Sequence, residues 1–119
     1  MKLLTAVIRK QLLRNGQLRQ QRGQTGEPEP DFLPVVKLFT PDADCTWLLT
    51  ELDPEDPDIA FGLCDLGQGY PELGSVSLSE LEAVRGKLHL PVERDLYFTA
   101  TKTLSAYADE ALAHGAIRA

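Results

Sequence analysis

At 119 residues the chain has the length of one domain and can bury one core without disulfide or metal staples. Its 43% hydrophobic and 25% charged residues are ordinary globular values, which exclude disorder throughout, and no apolar run reaches bilayer length. The net charge of −6 is uneven: residues 1–30 carry six bases against two acids, and residues 31–119 six bases against sixteen acids, so most of the body repels a polyanion.

In chain order, Leu4, Ile8 and Leu12, with Val7 beside them, make a helical apolar stripe. Thr5 suits its N-cap and Gly16 its stop. Arg9, Lys10 and Arg14 break the apolar run early and no small-residue cleavage site follows, so export is not expected and a cytoplasmic protein is. The basic face of this helix is short and lacks aromatics, which favours docking on the domain's own sheet over a membrane. Residues 16–31 are rich in glutamine and glycine and then bear prolines; they read as a flexible loop.

Strand-like runs follow at residues 35–40, 46–52, 59–66 and 73–76, joined by short turns that imply an antiparallel meander. Alternation puts Trp47, Leu49 and Glu51 on one face of the second strand, and Leu48, Thr50 and Leu52 on the other. Neither face is cleanly polar, so the sheet is expected to be partly covered on both sides. Ser77 and Ser79 each precede a glutamate by three residues, the spacing of a capping box, and Gly86 suits the stop of a two-turn helix. Leu88, Leu90 and Val92 alternate around Pro91, and Leu96-Tyr97-Phe98 reads as a closing strand. Residues 103–114 form a last helix, capped by Thr103, ended by Gly115, with Leu104, Tyr107, Ala108, Ala111 and Leu112 inward.

The expected fold is therefore α+β in a single domain, 1–119. A four- to five-stranded antiparallel meander and a short middle helix fill 32–98, with an N-terminal helix before and a C-terminal helix after.

Two cysteines, Cys45 and Cys64, are too few for a disulfide framework and have no metal-binding neighbours, so they read as half-buried reduced thiols, with a single cross-strand disulfide as the alternative. Gly67-x-Gly69 lacks the Lys-Ser/Thr pair of a phosphate loop, and there is neither a nucleophile elbow nor a zinc-protease motif, so no cofactor or metal is implied. The acids of residues 53–58 are stiffened by Pro54 and Pro57 and lack the glycine of a calcium loop; a solvated turn is expected. Glu93 and Asp95 share a face across Arg94 on an extended chain, and two such carboxylates suit a divalent cation or an acid–base pair. Ion pairing of these acids with Arg94 or another base, tying strands together, is the expected use. Trp47, Glu51 and Tyr70 are the other binding candidates, although a core role suits Trp47 better.

An ordered set of motifs is familiar: Met1-Lys2-Leu3-Leu4-Thr5, Lys37-Leu38-Phe39-Thr40-Pro41-Asp42, Thr46-Trp47, Phe61-Gly62-Leu63, Glu72-Leu73-Gly74, Ser77-Leu78-Ser79-Glu80-Leu81-Glu82, Arg85-Gly86, and Leu90-Pro91-Val92-Glu93-Arg94-Asp95-Leu96-Tyr97-Phe98. Together they resemble a bacterial family known as domain of unknown function 2958. The resemblance implies a fold and a setting among plasmids, integrative elements and phages; it brings no catalytic residues. The expected function is a non-enzymatic accessory module acting through a protein partner. The alternatives are a metal-dependent hydrolase or nuclease using Glu93 and Asp95, and a DNA-binding factor acting through the basic N-terminal helix.

Overall fold

A computed structural model describes residues 3–119; Met1 and Lys2, the latter counted among the N-terminal bases, lie outside the described residues. Helix α1 (Ala6–Thr25) leads, followed by strands β1 (Val36–Phe39), β2 (Thr46–Leu52), β3 (Ile59–Asp65) and β4 (Glu72–Ser77). Helix α2 (Leu78–Ala83), strand β5 (Glu93–Arg94) and helix α3 (Leu104–His114) complete the chain. The strands form one antiparallel sheet in the order β4-β3-β2-β1-β5. The α+β meander is as the sequence predicts, with β5 returning to close the far edge beside β1.

The boundaries of α1 and α2 follow from chemistry that the sequence partly displays. Thr5 caps α1 as expected, its Oγ1 accepting from the Ile8 N–H at 3.1 Å. The helix then runs through Gly16 and stops ten residues later, at Gly26 in the left-handed region (φ +74°). Residues 16–25 are thus helix, not loop. Gly16 serves contact instead: a Cβ there would stand 1.8 Å from the Leu52 carbonyl oxygen. Beside it, the Asn15 amide donates to the Thr50 carbonyl at 2.8 Å, so α1 presses its backbone onto the end of β2. Ser77 caps α2 by accepting from the Glu80 N–H at 3.3 Å, the first of the two expected capping registers. The stop is at Val84 in extended conformation, and Gly86 lies beyond the helix.

At α3 the expected cap, Thr103, makes no side-chain capping bond to the helix N–H groups. Asp31, far away in sequence, does the work: its carboxylate accepts from both the N–H and the Oγ of Ser105. These bonds hold the Asp31 carboxyl below the ordinary aspartate range.

The two faces of the sheet carry separate cores. On the α1 side, Leu12, Val36, Leu38, Trp47, Leu49, Leu52 and Ala60 pack with Leu78 and Leu81 of α2. On the α3 side, Leu48 and Leu63 meet Leu104, Tyr107 and Ala111. Leu112, read as part of the inward face of α3, is exposed. A bulge between Leu49 and Glu51 breaks the alternation of β2. The extra residue, Thr50, turns Leu52 to the side of Trp47 and Leu49, and sets Glu51 opposite Phe61 on the other side. The expected grouping of Glu51 with Trp47 is corrected accordingly. No described helix is long and apolar enough to cross a membrane.

Candidate functional site

The β1–β2 turn, the β3–β4 turn, the loop after α2 and the tail after α3 all gather at one end of the sheet. Each is fixed there by a side chain. Thr40 closes the first turn, its Oγ1 accepting from the Cys45 N–H at 3.0 Å. Asp65 is buried, and its two carboxylate oxygens accept from the N–H groups of Gly67 and Ile117, each at 2.9 Å. One carboxylate thus ties the β3–β4 turn to the C-terminal tail. Gly67, at φ +76°, lets the two turns touch: its Cβ would lie 2.9 Å from that of Asp44.

Asp42 plays the same part for the loop after α2. Its Oδ2 accepts from the Leu88 N–H at 2.6 Å and the Leu90 N–H at 3.3 Å. The other oxygen, Oδ1, is buried with no hydrogen-bond partner. It rests on the bare Cα of Gly86, where a Cβ would come within 1.8 Å. Gly86 is therefore needed for close approach rather than for stopping α2. The loop tip also holds His89 at φ +61°, a conformation that costs a residue with a Cβ about 1 kcal/mol or more.

Two hollows flank the β1–β2 turn. One, of about 670 Å³, is lined by Lys37, Thr40, Cys45, Asp65, Asp95 and Ile117 among others. The second, of about 470 Å³, lies between the turn, Leu66 and Lys87. Large apolar side chains stand out on the same turns and loop: Leu66, which lines the second hollow, is 57% exposed, Leu88 72% and Tyr70 80%.

The sequence-predicted candidates do not converge on one site. Trp47, 3% exposed, belongs to the α1-side core, as its apolar bulk favours. Glu51 is buried and bound to the Arg19 Nε at 2.7 Å. Tyr70 is exposed at the loop end. Glu93 and Arg94 form β5, and the Arg94 Nη1 donates to the Leu3 carbonyl at 2.8 Å. Asp95 lies past the strand: its Oδ1 accepts from the Tyr97 N–H at 2.9 Å, and its Oδ2 is 3.5 Å from the Lys37 Nζ. This turn is why Leu96-Tyr97-Phe98 is not the closing strand; Leu96 and Tyr97 lie in it, exposed. No group of three or more His, Cys, Asp or Glu side chains among the described residues is placed to hold a metal ion.

Arg19 was hidden inside the supposed loop. Its guanidinium lies 5.8 Å from the Phe32 ring centroid and 5.6 Å from that of Phe61, pairs with Glu51, and donates to the Pro30 carbonyl at 3.1 Å. It clamps α1, the segment before β1 and the sheet together, a role that no local signal announces. Asp65 was more accessible to sequence reading, because Asp-x-Gly is the pattern of a side chain capping its own turn. Cys45 and Cys64 are free and half-buried. Burial, helped by the nearby Glu72 carboxylate, pushes the Cys64 thiol up to about 11, so it stays protonated and unreactive at neutral pH.

A family model described as "Protein of unknown function (DUF2958)" matches residues 3–118. The chain belongs to this family. Neither a curated protein nor a solved structure matches it at a significant level. The DUF2958 chain therefore brings a fold and a family, and its chemistry has to be read from its own residues.

Proposed function

We propose that this DUF2958 protein is a non-enzymatic accessory module of a mobile genetic element, and that it binds a protein partner through the loop end of its sheet. The carrying observation is that Leu66, Tyr70 and Leu88 stand exposed there on turns locked by Asp42, Asp65 and Thr40. Exposed apolar side chains on a fixed backbone lose little entropy on docking, and beside a hollow such as the one Leu66 lines they suit an apolar protein surface. A hydrolase using Glu93 and Asp95 draws less support, because Asp95 is already engaged by the Tyr97 amide and Lys37. The mobile-element setting rests on the family resemblance.

Affinity purification from the native host, with the wild type beside a Leu66→Asp/Leu88→Asp variant, tests the reading. The expected result is a protein retained by the wild type whose purified form binds the variant at least tenfold more weakly. A bait whose captured proteins are the same with and without the two leucines sinks it.

One observation favours a second reading, nucleic-acid contact through α1. The helix contains no acid, and Arg9, Lys10 and Arg14 lie exposed on it. Three phosphate contacts would give a slope of about −2.7 in log affinity against log salt for duplex DNA. A flat salt response removes it.

A further inference from the structure

The sheet has two unequal edges. β5 ends one with only two residues, while β4 ends the other with six, paired to β3 without a break from Ile59–Ser77 to Cys64–Glu72. The main packing partners of β4 among the described elements are β3 and the helix that follows it, α2. Its outer side carries none of the usual guards: no lysine, no proline, no bulge, and one charged residue, Glu72, at the very start.

Gly74, in the middle of β4, is the telling residue. At Gly16, Gly62 and Gly86 an added Cβ would strike an atom 1.8–2.0 Å away, so packing inside the chain explains those glycines. At Gly74 a Cβ meets nothing within 4 Å, and φ is not positive. Glycine weakens a strand, and a mid-strand glycine often marks where another backbone comes close. No packing contact at the Cβ position within the described chain accounts for this one.

We infer that β4 is an interface between two copies of this chain, pairing antiparallel across a two-fold axis at Gly74 into a continuous ten-stranded sheet. The strand is complementary to itself in that register. Gly74 lies opposite Gly74 of the second copy, Leu73 opposite Ser75, and Glu72 opposite Val76, so no charges are opposed. The two Glu72 carboxylates end up four residues apart along the strands, about 13 Å, which is beyond the screening length at physiological salt. Leu73, 49% exposed in one chain, meets its symmetry mate diagonally on the α3 side of the sheet, within side-chain reach. The interface is separate from the loop-end surface, and either can fail without the other.

Analytical ultracentrifugation of the full chain at about 100 µM, which populates a dimer of micromolar Kd, should give twice the 13.1 kDa of one chain. Gly74→Lys should halve that mass, because it sets two lysines face to face at the axis; the open space around the position leaves the monomer folded, which an unchanged circular-dichroism spectrum should show. Gly74→Cys should form an intermolecular disulfide under mild oxidation, since residues opposed in an antiparallel pair have Cα atoms about 4.5–5.5 Å apart, and the wild type should not. A wild type that stays at 13.1 kDa overturns the inference and leaves the edge to an extended segment of another protein. A dimer that survives Gly74→Lys overturns it as well.

Discussion

The two faces of the sheet are held in different ways. On the α1 side, long side chains fill a broad core and the helix backbone itself touches the sheet, with Gly16 against the Leu52 carbonyl. On the α3 side the apolar layer is thinner, and polar ties fix the geometry: Asp31 to Ser105, Asp65 to Ile117, and the Tyr107 hydroxyl accepting from the Thr101 N–H at 3.0 Å. Apolar area resists any change of volume, whereas a polar tie resists only loss of its partner. The first face should therefore be broken by added atoms, the second by single lost acceptors.

The largest effect is expected at the helix–sheet contact. Gly16→Ala puts a methyl group where the Leu52 oxygen stands, so α1 must lift off β2 and the Asn15–Thr50 bond lengthens with it. Destabilisation of about 3 kcal/mol is expected, offset only partly by the helix preference for alanine. Gly23→Ala, on the same helix with nothing within 4 Å, should instead stabilise by about 0.5–1 kcal/mol. Denaturant titration of both variants checks the contrast; equal effects at the two positions would show that α1 does not press on β2.

A smaller effect is expected from Asp65→Asn. The amide has one acceptor oxygen, so either the Gly67 or the Ile117 N–H loses its partner and faces another donor. The cost is about 1–3 kcal/mol for the buried group, and it should appear locally. Hydrogen exchange of the Ile117 amide should speed up, while amides of β2 keep their order of protection. Unchanged exchange at Ile117 would mean that the tail is held by its apolar contact alone.

The same contrast explains what the sequence could disclose. Strands β1 to β4 were legible because turn residues and apolar runs bound them, and the capping serine of α2 was legible because its chemistry is local. Gly16 misled because its role is set by a carbonyl thirty-six residues away, and the local pattern of a helix stop is the same. Glu51 changed face because one bulged residue, Thr50, shifts every later side chain of β2. Arg19 and Asp42 were invisible as clamps because each acts on a loop distant in sequence. The acidic stretch at residues 53–58 was read correctly as a turn, but its acids are more than solvated charge: Asp53 accepts from the Glu55 N–H and Asp56 from the Asp58 N–H.

The smallest expected effect belongs to one of those acids. The Asp58 carboxylate accepts from the hydroxyls of Ser77 and Ser79 at 2.6 and 2.9 Å, and from the Ser79 N–H at 3.0 Å, so it supports the start of α2 from the neighbouring turn. These bonds favour the charged form and lower its pKa below the ordinary aspartate value, with the Ser77 hydroxyl as the largest cause. A carboxyl depressed in the folded state binds fewer protons there than in the unfolded chain. Its stabilisation is therefore complete above the unfolded value of about 3.9, and is lost as pH falls through the lower folded value. Thermal unfolding of the wild type and Asp58→Asn between pH 2 and 6 should show curves that lie apart at pH 6 and converge towards pH 2. Curves that stay parallel across this range would mean that the two serines gain nothing from the charge and that α2 starts on its own cap.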